Sequence, residues 1–317
     1  MPPKVVVITG PTATGKTGLG VSLAEDFGGE VVSADSMQIY RFMDIGTAKP
    51  TADEMQGISH HMIDMVSPFE EYSVARYVQD AAKCIEDILA RGRLPIIVGG
   101  TGLYIESLLS GRGFAANNVS LRRELSERFD ETGGEQMLGE LFGIDPESAE
   151  KLHANDKKRI IRALEVYYET GKSISQHDRE SRMRPARYDA CKIALSFENR
   201  DELYSRIDAR VDAMMEKGLY DEVLRLLDMG LDSGHTAMQA IGYKELVSVS
   251  CGSSSLEEAV DKIKMESRRY AKRQLSWLRR DKEINWIFFE KESKNDNSRQ
   301  YSTEILKKCG YNMIVDR

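Results

Sequence analysis

The sequence predicts an α/β protein, a parallel-sheet core carrying a helical insertion domain. Three observations predict it. Short β-branched runs alternate with amphipathic helical stretches, the runs end directly in loops rich in glycine or polar residues, and residues 117–187 interrupt that alternation with polar helices. Strand–helix alternation implies parallel neighbours joined by right-handed crossovers.

Residues 5–9, Val-Val-Val-Ile-Thr, show no polar alternation, as expected of a strand buried on both faces. Leu19, Leu23, Ala24 and Phe27 then recur at helical spacing, and Gly28-Gly29 ends that helix. A second strand, 30–34, runs into Asp35. After Ser73, the positions Val74, Tyr77, Val78, Ala81, Ile85, Ile88 and Leu89 mark an amphipathic helix, with Gly92 just beyond it. Residues 94–98 form a further buried strand that leads into Gly99-Gly100-Thr101-Gly102. In open α/β sheets, ligands sit against the loops at this edge.

Within 117–187, Asn155-Asp156 can cap a helix with Ile160, Ile161, Leu164 and Tyr168 on one face and Lys157, Lys158, Arg159 and Arg162 on the other. Residues 191–197 alternate, with Ile193, Leu195 and Phe197 on one side, so the sheet resumes there. The expected division is a core of 1–116 and 188–317, with its C-terminal helices, and an insertion domain of 117–187. A helix is expected over 201–217. Another starts at the capping box Ser255–Glu258 and runs to about 280. Residues 286–289 read as a last strand, and the tail beyond Lys291 as polar and poorly ordered.

Composition narrows the class. The 317 residues are 41% apolar, enough for a full core, and no apolar run approaches the roughly 18 residues of a membrane helix. Met-Pro-Pro-Lys enters the first strand directly, leaving no room for a signal peptide. Cys84, Cys191, Cys251 and Cys309 are far apart, which argues against a zinc or disulfide framework and for a cytoplasmic protein. A net charge of −7 disfavours nucleic-acid binding by the whole surface but allows one basic groove.

Gly10-Pro11-Thr12-Ala13-Thr14-Gly15-Lys16-Thr17 matches G-x-x-x-x-G-K-[ST] between a strand and a helix. Backbone N–H groups of such a loop cradle phosphate oxygens, the lysine adds charge, and Thr17 can hold Mg²⁺. The core is therefore P-loop NTPase-like. Asp35 shares the same sheet edge, where a carboxylate serves either as a general base or as a cap or Mg²⁺ ligand. Neither a Walker B aspartate nor an Asn-Lys-x-Asp element is present, which weakens an ATPase or GTPase reading. His60-His61 reads as structural, because adjacent residues rarely ligate one ion. Met37, Met214, Met215 and Met238 read as packing.

Arg206 and Arg210 share a helix face, either ion-paired in solvent or clamping a distal phosphate. Residues 262–282 hold nine Lys or Arg against Glu266 and Asp281. Arg268-Arg269-Tyr270-Ala271-Lys272-Arg273 suits RNA phosphates and base stacking, or else a solvated face. Competing readings are a small-metabolite kinase and a non-catalytic RNA-binding module with a relict P-loop. Retention of Lys16 and Asp35 counts against the second.

The P-loop, S-A-D-S-M-Q-I-Y-R (33–41), D-I-G-T-A-K-P (44–50), H-H-M-I-D (60–64), V-G-G-T-G-L-Y-I (98–105), N-D-K-K-R-I-I-R-A-L-E-V (155–166), A-M-Q-A-I-G-Y-K-E (237–245) and R-R-Y-A-K-R-Q-L-S-W-L-R (268–279) together resemble the tRNA dimethylallyltransferase (tRNA isopentenyltransferase) family. The resemblance spans nearly the whole chain. It implies transfer of a dimethylallyl group from dimethylallyl diphosphate to the N6 amine of the adenine 3′-adjacent to the anticodon. It also implies Mg²⁺ and no ATP hydrolysis. By the same resemblance, residues 10–17 bind diphosphate, Asp35 is the base and Thr101 lies at the reaction centre. Asp35, Ser36, Met37, Gln38, Thr101 and the helix stretch Lys158, Arg159, Ile160, Ile161, Arg162 and Ala163 are expected to touch the tRNA anticodon loop. Arg210 is expected on the diphosphate, and Lys272 and Arg273 on RNA. The zinc-finger extension of eukaryotic members is missing, so the resemblance is to the bacterial form, expected as a monomer. Ser276 stands where threonine is common in that family.

Overall fold

The computed structural model describes residues 2–111, 118–183, 185–289 and 297–313. They form two compact units, 1–109 with 188–317, and 110–187. The expected boundary at 116/117 and the segment 290–296 lie outside the described residues.

The chain opens with β1 (Lys4–Thr9), α1 (Lys16–Phe27), β2 (Gly29–Ser33), α2 (Ala52–Met55), β3 (His60–His61), α3 (Val74–Ala90), β4 (Leu94–Val98) and α4 (Gly102–Ser110). The second unit holds α5 (Val119–Thr132), α6 (Gly134–Ile144), α7 (Pro146–Ala149), α8 (Lys157–Thr170) and α9 (Ile174–Met183). The first unit then resumes with β5 (Asp189–Phe197), α10 (Arg200–Glu216), α11 (Leu219–Asp228), α12 (Tyr243–Ser250), α13 (Leu256–Leu278), β6 (Asn285–Phe289) and α14 (Ser298–Lys308).

Six strands make one parallel sheet in the order β3-β2-β4-β1-β5-β6. β1 lies near its centre and is buried from Val5 to Thr9, which is why its sequence lacks alternation. β5 pairs with β1 from Lys4↔Asp189 to Thr9↔Ala194, so the chain leaving the second unit lies beside the first strand. The alternation read in 191–197 does not mark a solvent face. Ala194 and Ser196 are as buried as Ile193 and Leu195, because β5 lies between β1 and β6.

α1 packs Leu19, Leu23, Ala24 and Phe27 into a core shared with Val6, Ile8, Val31, Ile96 and Ile193. It ends at Gly28, whose left-handed backbone (φ 61°) directs its N–H to the Ala24 carbonyl. The Ser73 side chain caps α3, and the expected capping box starts α13: Glu258 N–H donates to Ser255 Oγ at 3.2 Å, and Ser255 N–H donates to Glu258 Oε2 at 2.8 Å.

The tail corrects an expectation. Residues 298–313 are ordered, and Ser302, Leu306 and Tyr311 are buried against the sheet core. Arg299 anchors this helix to Asp26 of α1 at 2.5 Å.

The second unit has its own core of Leu125, Met137, Leu141, Ala149, Ile160, Ile161, Ala163 and Leu164. Tyr168 departs from the face expected of it: it is half-exposed, and its hydroxyl donates to Glu140. Glu165 is fully buried. Burial works against its charge, but Arg122 and Arg162 prevail and hold its pKa below the usual carboxylate range.

Candidate active site

The loops after β1, β2 and β4 meet because their strand ends are hydrogen-bonded together. Gly99 N–H donates to Ile8 O (3.1 Å), Ala34 N–H to Val98 O (2.8 Å), and Thr101 N–H to Ala34 O (3.2 Å). This gathers the P-loop, Asp35 and Gly99-Gly100-Thr101 at one edge. A cleft of about 940 Å³ opens there, walled also by residues 44–51, α10 and α13.

Gly10 is required by space: a Cβ there would stand 2.3 Å from the Leu195 carbonyl oxygen. Gly15 precedes α1 without a side-chain cap, so first-turn N–H groups remain available to an anion. Lys16 folds back onto the loop and donates to Pro11 O at 2.6 Å. Its pKa is pushed down to about 7, by burial first and then by the Arg210 guanidinium, with Asp35 pulling the other way.

Asp35 shows the capping role: its Oδ1 accepts Met37 N–H at 2.8 Å and Gln38 N–H at 3.3 Å. Both bonds use one oxygen. The carboxylate also acts electrostatically on Lys16, Arg210 and Tyr270, so capping does not remove it from the cleft. Ser36, Met37 and Gln38 line the cleft. The Gln38 amide is held within the protein, accepting from Ser33 Oγ at 3.0 Å and donating to the Thr47 and Ala48 carbonyls.

Thr101 differs from its neighbours. Its hydroxyl is buried beside the Tyr270 phenol without a hydrogen bond of good geometry, and the residue is not part of the cleft wall, whereas Gly99 and Gly100 are. Tyr270 itself lines the cleft, with its pKa pushed up to about 12 by burial and then by Asp35.

The two arginines of α10 separate. Arg210 enters the cleft with no ion pair among the described residues. Burial lowers its pKa against the opposing charges of Asp35 and Glu54. Arg206 turns away to Glu202 at 3.1 Å and to the Phe197 ring. The basic helix α13 also divides. Arg268 pairs with Asp208 at 2.5 Å, Lys264 with Asp212 at 2.6 Å, and Arg269 with Glu266 at 2.7 Å. Arg273 lines the cleft, whereas Lys272 is exposed and lies outside its wall.

In the second unit, Lys158 and Arg159 are exposed. The side chains of Ile160, Ile161 and Ala163 are not available to RNA, being 0%, 5% and 3% exposed within the core of that unit. Arg162 is committed to Glu165 at 3.0 Å. Met238 is buried, as expected for packing, but Met37 and Met214 line the cleft. His60 and His61 lie on β3, and His61 Nε2 meets Glu30 at 2.7 Å.

Two residues unnoticed in the sequence organise this site. Gln274 on α13 accepts Thr12 N–H at 3.1 Å and donates to the Gly100 carbonyl at 3.0 Å. Its signal was the i, i+3, i+4 spacing of Tyr270, Arg273 and Gln274, which puts all three on one helix face. Glu222 on α11 is buried and accepts the N–H groups of Asp44 (3.0 Å), Ile45 (2.9 Å) and Gly46 (3.2 Å), together with the Tyr243 hydroxyl (2.6 Å). Nothing local in the sequence points to it.

Comparison with known proteins adds a second line. The family profile described as IPP transferase matches residues 38–281, and one described as isopentenyl transferase matches 3–70. The chain is 51% identical over 306 residues to the tRNA dimethylallyltransferase of Caldanaerobacter subterraneus subsp. tengcongensis, covering 96% of this chain and 97% of the relative. It is 50% identical over 285 residues to that of Acetivibrio thermocellus, covering 89% and 91%. Among solved structures, it is similar to the full-length tRNA isopentenylpyrophosphate transferase from Bacillus halodurans, with TM-score 0.71, 41% identity and coverage of 97% and 98%. A eukaryotic dimethylallyltransferase captured acting on tRNA gives TM-score 0.83 at 31% identity, covering 99% of this chain and 82% of that one.

Proposed function

The chain belongs to the tRNA dimethylallyltransferase, or IPP transferase, family, and from that premise we propose how its residues divide the reaction. Dimethylallyl diphosphate binds with its diphosphate on residues 10–17 and Arg210. The N6 amine of the adenine 3′ to the anticodon attacks the allylic carbon. The carbon–oxygen bond to diphosphate breaks, and Asp35 takes the proton released by the amine. The observation that carries this reading is the grouping of Lys16, Arg210 and Asp35 in one cleft, two cations beside one carboxylate.

The division of charge suits the chemistry. As the allylic bond ionises, negative charge grows on the diphosphate oxygens and positive charge on the carbon. The P-loop N–H groups, Lys16 and Arg210 answer the first, and Asp35 the second. An adenine amine is a weak nucleophile, so a placed base contributes about 10²–10⁴-fold. Tyr270 lines the cleft within the field of Asp35, and the Thr101 hydroxyl beside it belongs to the same reaction centre. Gln274 holds the P-loop and the Gly100 turn in register.

Mg²⁺ fits the donor set. Thr17 lines the cleft, and among the described residues no group of three or more His, Cys, Asp or Glu gathers to form a closed metal cage. Thr17 would hold the cation there through its hydroxyl oxygen, a donor suited to a hard ion. When bound, it would supply further neutralisation of the leaving diphosphate.

Ser36 and Met37 at the cleft and Lys272 on α13 meet the anticodon loop, and the exposed Lys158 and Arg159 of the second unit offer further phosphate contacts to the tRNA. The target adenine must leave its stack, a cost of a few kcal/mol that is smallest for an unpaired base. The test is incubation of the purified chain with bulk tRNA, Mg²⁺ and labelled dimethylallyl diphosphate, without ATP. Label in N6-modified adenosine is expected. RNA that binds but stays unlabelled would overturn the transferase reading.

A further inference from the structure

Away from the cleft, Cys191 on β5 and Cys309 just past α14 meet sulfur to sulfur, at 2.9 Å, although 118 residues separate them in sequence. Their surroundings hold them there. Lys4 Nζ donates to the carbonyls of Cys309 (3.0 Å) and Gly310 (2.9 Å), and the Tyr311 hydroxyl donates to Val5 O at 2.8 Å. Lys4 and Val5 are in turn in register with Asp189 and Ala190, which lead into Cys191. The two thiols are unequal. Cys191 is 5% exposed and its thiol is pushed up, by burial first and then by Cys309, whereas Cys309 is exposed. Neither Cys84, whose sulfur lies against Met62, nor the exposed Cys251 meets another cysteine.

We propose that Cys191 and Cys309 form an oxidation site that converts hydroperoxide exposure into an intrachain disulfide between the sheet and the C-terminal helix. The accessible Cys309 thiolate attacks the peroxide oxygen, the O–O bond breaks, and a sulfenic acid forms with release of water or an alcohol. The Cys191 sulfur then attacks the sulfenic sulfur. An S–S bond forms, hydroxide leaves, and it takes up the Cys191 proton as water. The peroxide receives two electrons and the two thiols lose them. A disulfide needs the sulfurs at about 2.05 Å, an approach within reach of side-chain rotation from contact. The bond would fasten the end of α14, which carries Leu306 into the core, to a strand one place from β1. A reducing cytoplasm would return it to the dithiol, so the bond is conditional. It joins positions outside the cleft and leaves the transfer chemistry untouched.

The experiment treats the reduced full chain with a small molar excess of hydrogen peroxide, followed by alkylation, non-reducing peptide mapping and thermal unfolding. The expected product is a cross-linked Cys191–Cys309 peptide pair, about 2 Da lighter than the two free thiol peptides. Tm should rise by about 5 °C and return on adding dithiothreitol, because the bond closes a long loop in the unfolded chain. Cys309→Ser, at an exposed position, should lose both the cross-link and the Tm rise while Cys191 stays a free thiol. Cys191→Ser should leave Cys309 to run on to the sulfinic acid. The proposal is overturned if both thiols alkylate fully at a dose that oxidises Cys251, or if the cross-links found involve Cys84 or Cys251.

Discussion

Gln274 Oε1 accepts the Thr12 backbone N–H at 3.1 Å, so the P-loop is fastened to α13 as well as to its own strand and helix. The other end of the same amide donates to the Gly100 carbonyl at 3.0 Å. One side chain thus sets the spacing between the loops that follow β1 and β4, and the two bonds fix which end of the amide is oxygen. Gln274→Met leaves a part-buried donor and a part-buried acceptor without their protein partner, at about 1 kcal/mol each. Gln274→Glu keeps the acceptor for Thr12 but turns a second acceptor toward Gly100. Both variants should bind inorganic diphosphate about tenfold more weakly by calorimetry, about 1.4 kcal/mol. Wild-type affinity in both would remove Gln274 from the positioning role.

Asp35→Asn separates the two duties seen at that residue. Asparagine keeps a side-chain oxygen for the Met37 and Gln38 N–H groups, so the turn should survive. It cannot accept the amine proton. Single-turnover transfer should fall by about 10²–10⁴ with tRNA affinity held within a few fold. An unchanged rate would leave Asp35 with the cap alone.

Lys16 predicts a pH dependence whose sign is fixed. In the free protein its pKa is pushed down to about 7 by burial and by Arg210. A bound diphosphate must raise it, so its contribution to affinity is complete below about pH 7. Above that, affinity falls as pH rises, and it levels off beyond the raised pKa of the complex. Between pH 6 and 9 the ratio of wild-type to Lys16→Met affinity for inorganic diphosphate should therefore decline. Taking the ratio cancels the titration of the diphosphate itself. A flat ratio would mean that Lys16 is fully charged in both states.

What was legible in the sequence follows from how local each cause is. The β1–P-loop–α1 unit is specified by one contiguous segment, Lys4 to Phe27, and the Ser255–Glu258 box closes within one turn, so both could be read directly. The stretch 158–163 is contiguous in sequence but not as a surface. On a helix each residue turns by about 100°, which sends Ile160, Ile161 and Ala163 inward while Lys158 and Arg159 stay out. β3 is a two-residue strand that exists only by pairing with Val31 and Val32. α14 is held by Leu306 and Tyr311 entering a core built from strands far away in sequence, which no local pattern announces.

Glu222 belongs to the same illegible class, and it makes a strong stability prediction. It is 2% exposed and accepts three successive backbone N–H groups of the loop at 44–46, along with the Tyr243 hydroxyl. Glu222→Ala strips partners from all four donors and should cost about 3 kcal/mol or more in denaturant unfolding. Gly46→Ala attacks the same joint from the other side, since its Cβ would stand 2.4 Å from the Tyr243 ring. Both should lower Tm, and both should weaken transfer, because residues 44–51 wall the cleft. Loss of stability with full activity would show that the loop need not be held in this form.

Lys272 and Arg273 are neighbours in sequence with different predicted roles. On α13 they point about 100° apart, Arg273 toward the cleft beside Tyr270 and Gln274, and Lys272 into solvent outside the cleft wall. Lys264, Arg268 and Arg269 are neutralised by acidic partners, so Lys272 is among the α13 cations left to meet RNA phosphates. Lys272→Glu should weaken tRNA binding and reduce the slope of log affinity against log salt by about 0.7–0.9, the value for one phosphate contact, with diphosphate binding unchanged. Arg273→Glu places a carboxylate in the cleft near Asp35 and should weaken diphosphate binding by tenfold or so, about 1.4 kcal/mol. Titrating both ligands against each single variant over a salt series separates the two. Equal changes in both variants would mean that the helix face does not divide the ligands, and no change in either would return this stretch of α13 to a solvated role.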